Sequence, residues 1–391
     1  MSMKDEIKYL YWLNSVDGVG FKAIMLLTKF VGSARDVYGL AENDLGWFLN
    51  KRQLTELVNN RNKWDVEGEY EKLKLKGISF YPYGHPGYPD KLCSLPDPPA
   101  ALYVKGNLPE PNTPAVAVIG TRKCSGYGSA MAKQLGARLA EKGIAVISGM
   151  ARGIDGIGQR AVCEAGGFTY AILGCGVDII YPPENGQLYR QIMMKGGIIS
   201  EYFPGSQPKA GQFPARNRII SGLSDAVVVV EAKEKSGTMI TVDMALEQGR
   251  EVYAVPGRLV DYSSSGCNRL IKQGAGLIIS VDEFVEEVLH LSKTKMANEV
   301  TELKKTERKS VKQVSTEEKI KNSLTEEEKQ VFSCLDYIPR SLEQIQALTP
   351  KVPYEKLLKI LITFCLRGIA SQMGAGSYCR NESFNESEGS R

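Results

Sequence analysis

The chain has 391 residues, enough for two or three domains. Hydrophobic residues make up 43% and charged residues 24%, an ordinary balance for a globular protein that buries a sizeable core. The net charge of +4 is too small to establish a nucleic-acid partner, although it leaves room for a local basic groove.

The start, MSMKDEIKYLYWLNS, lacks the basic stretch and long apolar run of a secretory signal. No uninterrupted apolar segment reaches the roughly 20 residues of a membrane helix, so no membrane span is expected. Residues 1–72 read as a small all-α domain. Within it, LNSVDGVGFKAIMLLTKF at 13–30 resembles a helix-hairpin-helix, whose glycines let backbone N–H groups approach a DNA phosphate. A plain helical turn packed on its neighbour fits the same residues. From Gly77 the chain becomes rich in Pro, Tyr and Gly, with an extended run at Ala101–Val104 that leads into a sheet.

A regular alternation follows. Continuous Val/Ile/Ala/Leu runs stand at 116–119, 145–147, 169–173, 197–200, 226–230, 252–254 and 277–279, mostly separated by helical stretches. Unbroken apolar runs mark strands buried on both faces, as in a parallel sheet between helices. The reading for 73–290 is a doubly wound, mostly parallel Rossmann-like α/β domain. Residues 291–323 turn to Lys, Glu, Thr and Ser and read as a charged linker. At 324–380 the spacing predicts a winged helix. A first helix is capped by Thr325, and a second covers 341–348. A third covers 353–366, with Pro353 at its first position. Leu357, Leu358, Leu361, Ile362, Cys365 and Leu366 are expected to form its apolar face. A hairpin follows, then a polar tail, 381–391, expected to be disordered.

Ligands of open parallel sheets bind outside the carboxyl ends of the strands, so the chemistry is sought in those loops. VIGTRKCSGYG at 118–128 offers a tight turn at Gly120. Backbone N–H groups of Ser125, Gly126 and Gly128 open a helix as an anion site, and Arg122 adds a fixed cationic fork. SGMARGIDG at 148–156 is a second Gly-rich turn, with Arg152 as its cation and Asp155 as a helix cap. LGCGVDIIYPPEN at 173–185 permits close backbone approach, with Tyr181 shaping the loop. In 200–225, Phe213 stands among Lys209, Arg216 and Arg218. That pattern suits a ring that stacks on a base with cations for phosphates, and equally a core ring with arginines paired to carboxylates. Ser236-Gly237-Thr238 opens another helix, and Glu231 is expected to pair with Arg216 or Arg218.

Much chemistry is excluded. There is no G-x-x-x-x-G-K-[ST] phosphate loop, no G-x-G-x-x-G with a ribose-clamping acid and no G-x-S-x-G elbow. The two histidines and eight scattered cysteines show no metal spacing, and the cysteines read as reduced thiols. No catalytic residue, metal or cofactor is expected.

Taken together, GTR-x-x-S-x-YG at 120–128, SGMARGID at 148–155, LGCGVD-x-x-YP-x-EN at 173–185 and FPARNRIISGLS at 213–224 resemble the DNA-processing protein A (DprA, also called Smf) family. VVEA-x-x-x-SGT-x-IT at 229–241, YAVPG at 253–257 and SSGCNRLIKQGA at 264–275 continue the resemblance. It implies a cytoplasmic bacterial protein that binds and protects incoming single-stranded DNA. It also implies help in loading the RecA recombinase during natural transformation, and self-association as a homodimer through the Rossmann domain. Arg122 falls at the family's DNA-binding arginine, with Lys209 and Phe213 near its basic and stacking positions. The remaining DNA contacts then fall among Gly120, Thr121, Ser125, Gly126, Tyr127, Gly128, Ser148, Gly149, Arg152, Gly153, Arg216, Asn217, Arg218, Ser236, Gly237 and Thr238. Thr121 replaces a usual Ser, and Gln159 a frequent His. A second reading is a phosphoribohydrolase-like nucleotide-processing enzyme, with Glu247 downstream of Ser236-Gly237-Thr238 as its catalytic acid. A third is a duplex-DNA regulator acting through the C-terminal module.

Overall fold

Alternate residues of the central strands enter opposite cores. In the strand Ala115–Ile119, Ala115, Ala117 and Ile119 join one apolar cluster, while Val116 and Val118 join the cluster on the other face. Val227 and Val229 likewise oppose Ala226 and Val228. The side-chain period of two, with both faces covered, explains why these segments carry no polar residues.

The computed structural model describes residues 3–292, 324–335, 340–373 and 377–380. The chain divides into two compact units, 1–296 and 297–391. The first opens with helices α1 (Met3–Ser15), α2 (Phe21–Val31), α3 (Ala34–Gly39), α4 (Glu42–Leu45), α5 (Lys51–Arg61) and α6 (Val66–Leu75). Trp12, Leu13, Leu27, Leu45 and Leu57 are fully buried among them. Then come β1 (Ser79–Pro82), α7 (Asp90–Cys93), β2 (Ala101–Gly106), β3 (Ala115–Ile119), α8 (Gly126–Glu141), β4 (Ala145–Ser148), α9 (Ile154–Glu164), β5 (Thr169–Ile172), α10 (Gly186–Lys195) and β6 (Gly197–Ser200). The unit continues with α11 (Gln212–Gly222), β7 (Ala226–Val229), α12 (Gly237–Glu247), β8 (Glu251–Ala254), α13 (Ser265–Lys272) and β9 (Gly276–Leu277), and a helix α14 covers 281–292.

The nine strands form one sheet in the order β1-β2-β6-β5-β4-β3-β7-β8-β9. From β6 to β9 every pairing is parallel, while β1 and β2 add an antiparallel edge. This is the mostly parallel Rossmann-like sheet that the apolar runs predict. β1 escaped the sequence reading because SFYP sits in a Pro- and Gly-rich stretch. The N-terminal helices share a core with that edge. Tyr11 and Leu73 pack with Phe80 and Tyr103, and Tyr103 Oη donates to Asn14 Oδ1 at 2.8 Å. The chain leaves β3 for β4, β5 and β6 on one side and returns to β7 on the other. The switch point lies between β3 and β7, where such sheets open a crevice.

The second unit holds α15 (Glu326–Cys334), β10 (Arg340–Ser341), α16 (Leu342–Leu348), α17 (Tyr354–Leu366), β11 (Ala370–Met373) and β12 (Ser377–Arg380). Its strands pair antiparallel in the order β10-β12-β11. Thr325 and Ser341 each form a capping box, with Glu328 and Gln344. Two expectations need correction. Pro353 is the extended N-cap of α17, not its first helical residue. The buried face is Leu357, Ile360, Leu361 and Phe364, whereas Ile362 and Leu366 are exposed. The i, i+3, i+4, i+7 spacing of a helical stripe selects the first set, and the neighbouring apolar residues fall on another face. Most of the expected linker and all of the 381–391 tail lie outside the described residues.

Leu135 on α8 is fully buried in the cluster that α8 and α14 make with the sheet. Leu135→Ala should lower the stability of the first unit by about 2–5 kcal/mol in urea titration. A change of well under about 1 kcal/mol would contradict this packing.

Candidate nucleic-acid interface

The loop after β3 is tied to both neighbours. Thr121 N–H donates to the carbonyl of Glu231, just past the end of β7, at 2.7 Å, and Ile154 N–H donates to the Thr121 carbonyl at 3.2 Å. Glu231 is only 1% exposed, and its carboxylate accepts the Ser125 N–H at 2.9 Å and the Ser125 hydroxyl at 3.1 Å. Ser125 Oγ in turn caps α8 by accepting the Gly128 N–H at 3.1 Å. The N-terminus of α8, expected to take an external anion, is therefore occupied by the protein's own carboxylate. Gly128 is required there, because a Cβ would lie 2.0 Å from Glu231 Oε2. Glu231 meets neither Arg216 nor Arg218. It leans toward β3 and α8, while those arginines contact groups after β4, β5 and β6. Arg122 projects from the loop and is exposed. Tyr127 turns the other way, its hydroxyl donating to the Pro256 carbonyl at 2.9 Å.

The loop after β4 is rigidly braced. Ser148 Oγ donates to the Val118 carbonyl at 2.7 Å, and Gly149 N–H donates to Asp155 Oδ2 at 3.1 Å. Met150 holds a φ of 50°, in the left-handed region. Buried Gln159 accepts its N–H at 3.1 Å, and Asn185 Nδ2 donates to its carbonyl at 2.9 Å. Gln159 also donates to Thr169 Oγ1 and the Tyr170 carbonyl, so the residue at the position of the frequent His braces the scaffold. Arg152 is exposed and ion-paired with Glu184. Gly153 N-caps α9 behind the Arg122 loop.

Arg216 reaches inward from α11 and is 5% exposed. It donates to the carbonyls of Gly149, at 3.2 Å, and Ile172, so it plugs the ends of β4 and β5. Burial lowers its guanidinium to about 10, opposed mainly by the nearby Asp155 charge, and it stays a cation at neutral pH. Burial pushes the Asp155 carboxyl up, with Arg216 acting against it. Gly149 threads between the two. A Cβ there would come within 2.6 Å of Arg216 Nη2 and 2.8 Å of Asp155 Oδ2. Arg218 instead forms a two-point pair with Glu201, both contacts 2.6 Å, and donates to the Asp97 carbonyl. The carboxylate-pairing alternative thus describes Arg218.

Phe213, on the first turn of α11, is half-buried. Its ring lies 5.3 Å from that of Tyr181, and the Arg122 guanidinium sits 5.8 Å from its centroid. Beyond them a groove of about 680 Å³ gathers Gly120, Thr121, Arg122, Phe213, Arg216, Asn217, Ser236, Gly237 and Thr238. Ser236 lacks a side-chain capping bond, and its buried Oγ has no partner, so the N-terminus of α12 faces the groove uncapped. Gly149 and Arg152 line an adjoining recess with Arg122, Tyr181, Phe213 and Arg216. Ser125, Gly126, Tyr127, Gly128, Ser148, Gly153 and Arg218 do not line the groove. Lys209 lies in a separate groove of about 1040 Å³, facing the α1–α2 turn at Gly18–Phe21. Sequence reasoning treated Tyr181 as loop-shaping and missed the bracing by Gln159 and Asn185, because their partners are tertiary.

Among the described residues no group of His, Cys, Asp or Glu could hold a metal ion, and no helix is long and apolar enough to cross a membrane.

The fold is thus that of a Rossmann-like α/β protein, with a groove edged by Arg122 and walled by Phe213 and Tyr181 at the switch point of its mostly parallel sheet. The family model for DNA recombination-mediator protein A matches residues 79–289, and the chain belongs to that family. It is 36% identical to protein Smf of Synechocystis over 284 residues, 70% of this chain and 71% of that protein. It is 41% identical to DNA processing protein DprA of Bacillus subtilis over 234 residues, 58% of this chain and 79% of that one. The X-ray structure of DprA from Streptococcus pneumoniae superposes with a TM-score of 0.63 at 34% identity, covering 72% of this chain and 97% of that one.

Gly149→Ala should destabilise the first unit by about 1–3 kcal/mol, because backbone and buried ions must both shift. An unchanged thermal midpoint would show that the Arg216–Asp155 gap tolerates a methyl group.

Proposed function

We propose that this chain is a single-stranded DNA-binding protein that protects incoming DNA and helps load the RecA recombinase during natural transformation. The observation that carries the reading is the Arg122 guanidinium over the Phe213 ring, at the mouth of a groove that also holds the open end of α12. The arginine and the backbone N–H groups suit phosphates. A ring at a groove wall suits an unpaired base, since a paired base offers no free face for stacking. The proposed contacts are Arg122, Phe213 and Ser236–Thr238, with Gly120, Thr121 and Asn217 shaping the groove. Arg216 sets the field beneath them, and Lys209 extends the path toward the N-terminal helices.

A binding role without catalysis fits the carboxylates. Asp155 lines the groove, but it is buried and accepts the Gly149 N–H. Glu247, the acid of the enzymatic alternative, is exposed on the last turn of α12, ten residues and about 15 Å from Gly237. In this reading residues 1–72 and 73–290 act as helical and DNA-binding domains, and 291–323 links them to a winged helix at 324–380. The outer face of α17 offers Lys359, while Lys356 pairs with Glu327, a poor set for reading bases. The protein acts in the cytoplasm as a homodimer. The sheet ends on β9, where Leu277 and the following Ile279 are exposed, which supports self-association there.

Arg122→Ala should weaken binding of single strands about tenfold or more whatever their sequence, and lower the salt slope by about one. Phe213→Ala should cost about 1–3 kcal/mol with the fold intact. Fluorescence-anisotropy titration at several salt concentrations tests both. Equal affinity for duplex and single strand, or a silent Arg122→Ala, sinks the proposal.

A further inference from the structure

We infer that the strand leaves the Phe213 groove over a second stacking platform, formed by Tyr127 at the start of α8 and by Lys233 and Tyr262 on the loops after β7 and β8. This inference rests on the reading of the groove as a single-strand site.

Tyr262 is 72% exposed and Tyr127 48%. Lys233 Nζ lies 4.9 Å from the centroid of Tyr262. Leu259 and Val260, beside Tyr262, are exposed at 96% and 85%. So much apolar surface held in water is relieved by the flat faces of bases.

The platform is preorganised. Tyr127 Oη is bonded to the Pro256 carbonyl. Asn268 clamps the root of the Tyr262 loop, accepting the Gly257 N–H at 3.1 Å and donating to the Gly257 carbonyl at 3.0 Å. Gly266 N–H donates to the Ala232 carbonyl at 2.9 Å, which docks α13 onto the loop that carries Lys233.

The charge balance favours an anion. Two acids of this patch are neutralised by arginine. Glu234 pairs with Arg269 and Asp261 with Arg258, each at 2.8 Å. Lys123, Lys233 and Lys235 are exposed and form no ion pair among the described residues. The uncapped end of α12, which opens into the groove, follows Lys233 of the platform by three residues.

Strand order makes the path continuous. Phe213 stands over the ends of β4 and β5, Arg122 over β3, Ser236 after β7 and Tyr262 after β8, and these strands are consecutive neighbours. Four steps of about 4.8 Å give a path of about 19 Å. A strand kept at the stacked rise of about 3.4 Å per nucleotide places about six nucleotides along it, of which the groove alone takes about four.

The test uses the full chain with oligothymidylates of about four and about ten nucleotides. Tyr262→Ala should weaken the longer oligomer roughly tenfold, the loss of one stacked base, and leave the shorter one unchanged. Tyr262→Phe should bind as the wild type does, and Tyr262→Leu should not. Equal affinity of Tyr262→Ala for the longer oligomer overturns the platform. So does an equal loss for both lengths. A changed sedimentation coefficient with unchanged DNA affinity would assign the patch to self-association instead. If the wild type binds neither oligomer, or Arg122→Ala is silent, the groove reading itself falls. If Arg122→Ala weakens both oligomers and Tyr262→Ala neither, only the platform falls.

Discussion

Glu231 connects the three elements on which the groove depends. Its backbone carbonyl holds Thr121, its carboxylate holds Ser125, and Ser125 caps α8. One carboxylate oxygen is buried without a partner, an unfavourable arrangement that is retained where the rest of the site depends on the other oxygen. With the first anion turn closed from within, Arg122 is left to project over Phe213. The open helix end is then that of α12, on the opposite wall.

Charge acts at this site through geometry. Of the arginines near the strand ends, Arg216 is buried on carbonyl oxygens, Arg218 pairs with Glu201 and Arg152 pairs with Glu184. Arg122 rests on a ring instead of a carboxylate. A cation over an aromatic face keeps its donors available to a ligand, whereas one in a two-point carboxylate pair has spent them. A chain of small net charge thus presents the Arg122 guanidinium at this crevice with no carboxylate partner among the described residues.

The fold was legible for a simple reason. A strand covered by helices on both faces is largely apolar, so β3 through β7 announce themselves as apolar runs, and β8, with Glu251 exposed, does so through Val252–Ala254. β1 did not, because an antiparallel edge strand tolerates the Pro and Tyr that elsewhere signal a loop. In α17 the error was one of phase. Apolar residues occupy more than one face, and the stripe that packs, spaced i, i+3, i+4 and i+7, takes Ile360 and Phe364 inside and leaves Ile362 and Leu366 outside.

The site was legible as loops but not as partners. Spacing alone placed the Gly-rich turns, Arg122, Phe213 and Ser236–Thr238 of the candidate site at strand ends and helix starts, because those have local signatures. Tertiary structure decided that Glu231 seals α8 and that Arg216 is buried while Arg218 is paired. It also decided that Gln159 and Asn185 brace the β4 loop, and that Tyr127 faces Pro256. Each of those outcomes depends on which side chain lies across a gap, often dozens of residues away in the chain. Turn chemistry is encoded over a few neighbouring residues, whereas the partner of a buried charge is set by how the strands are ordered in the sheet.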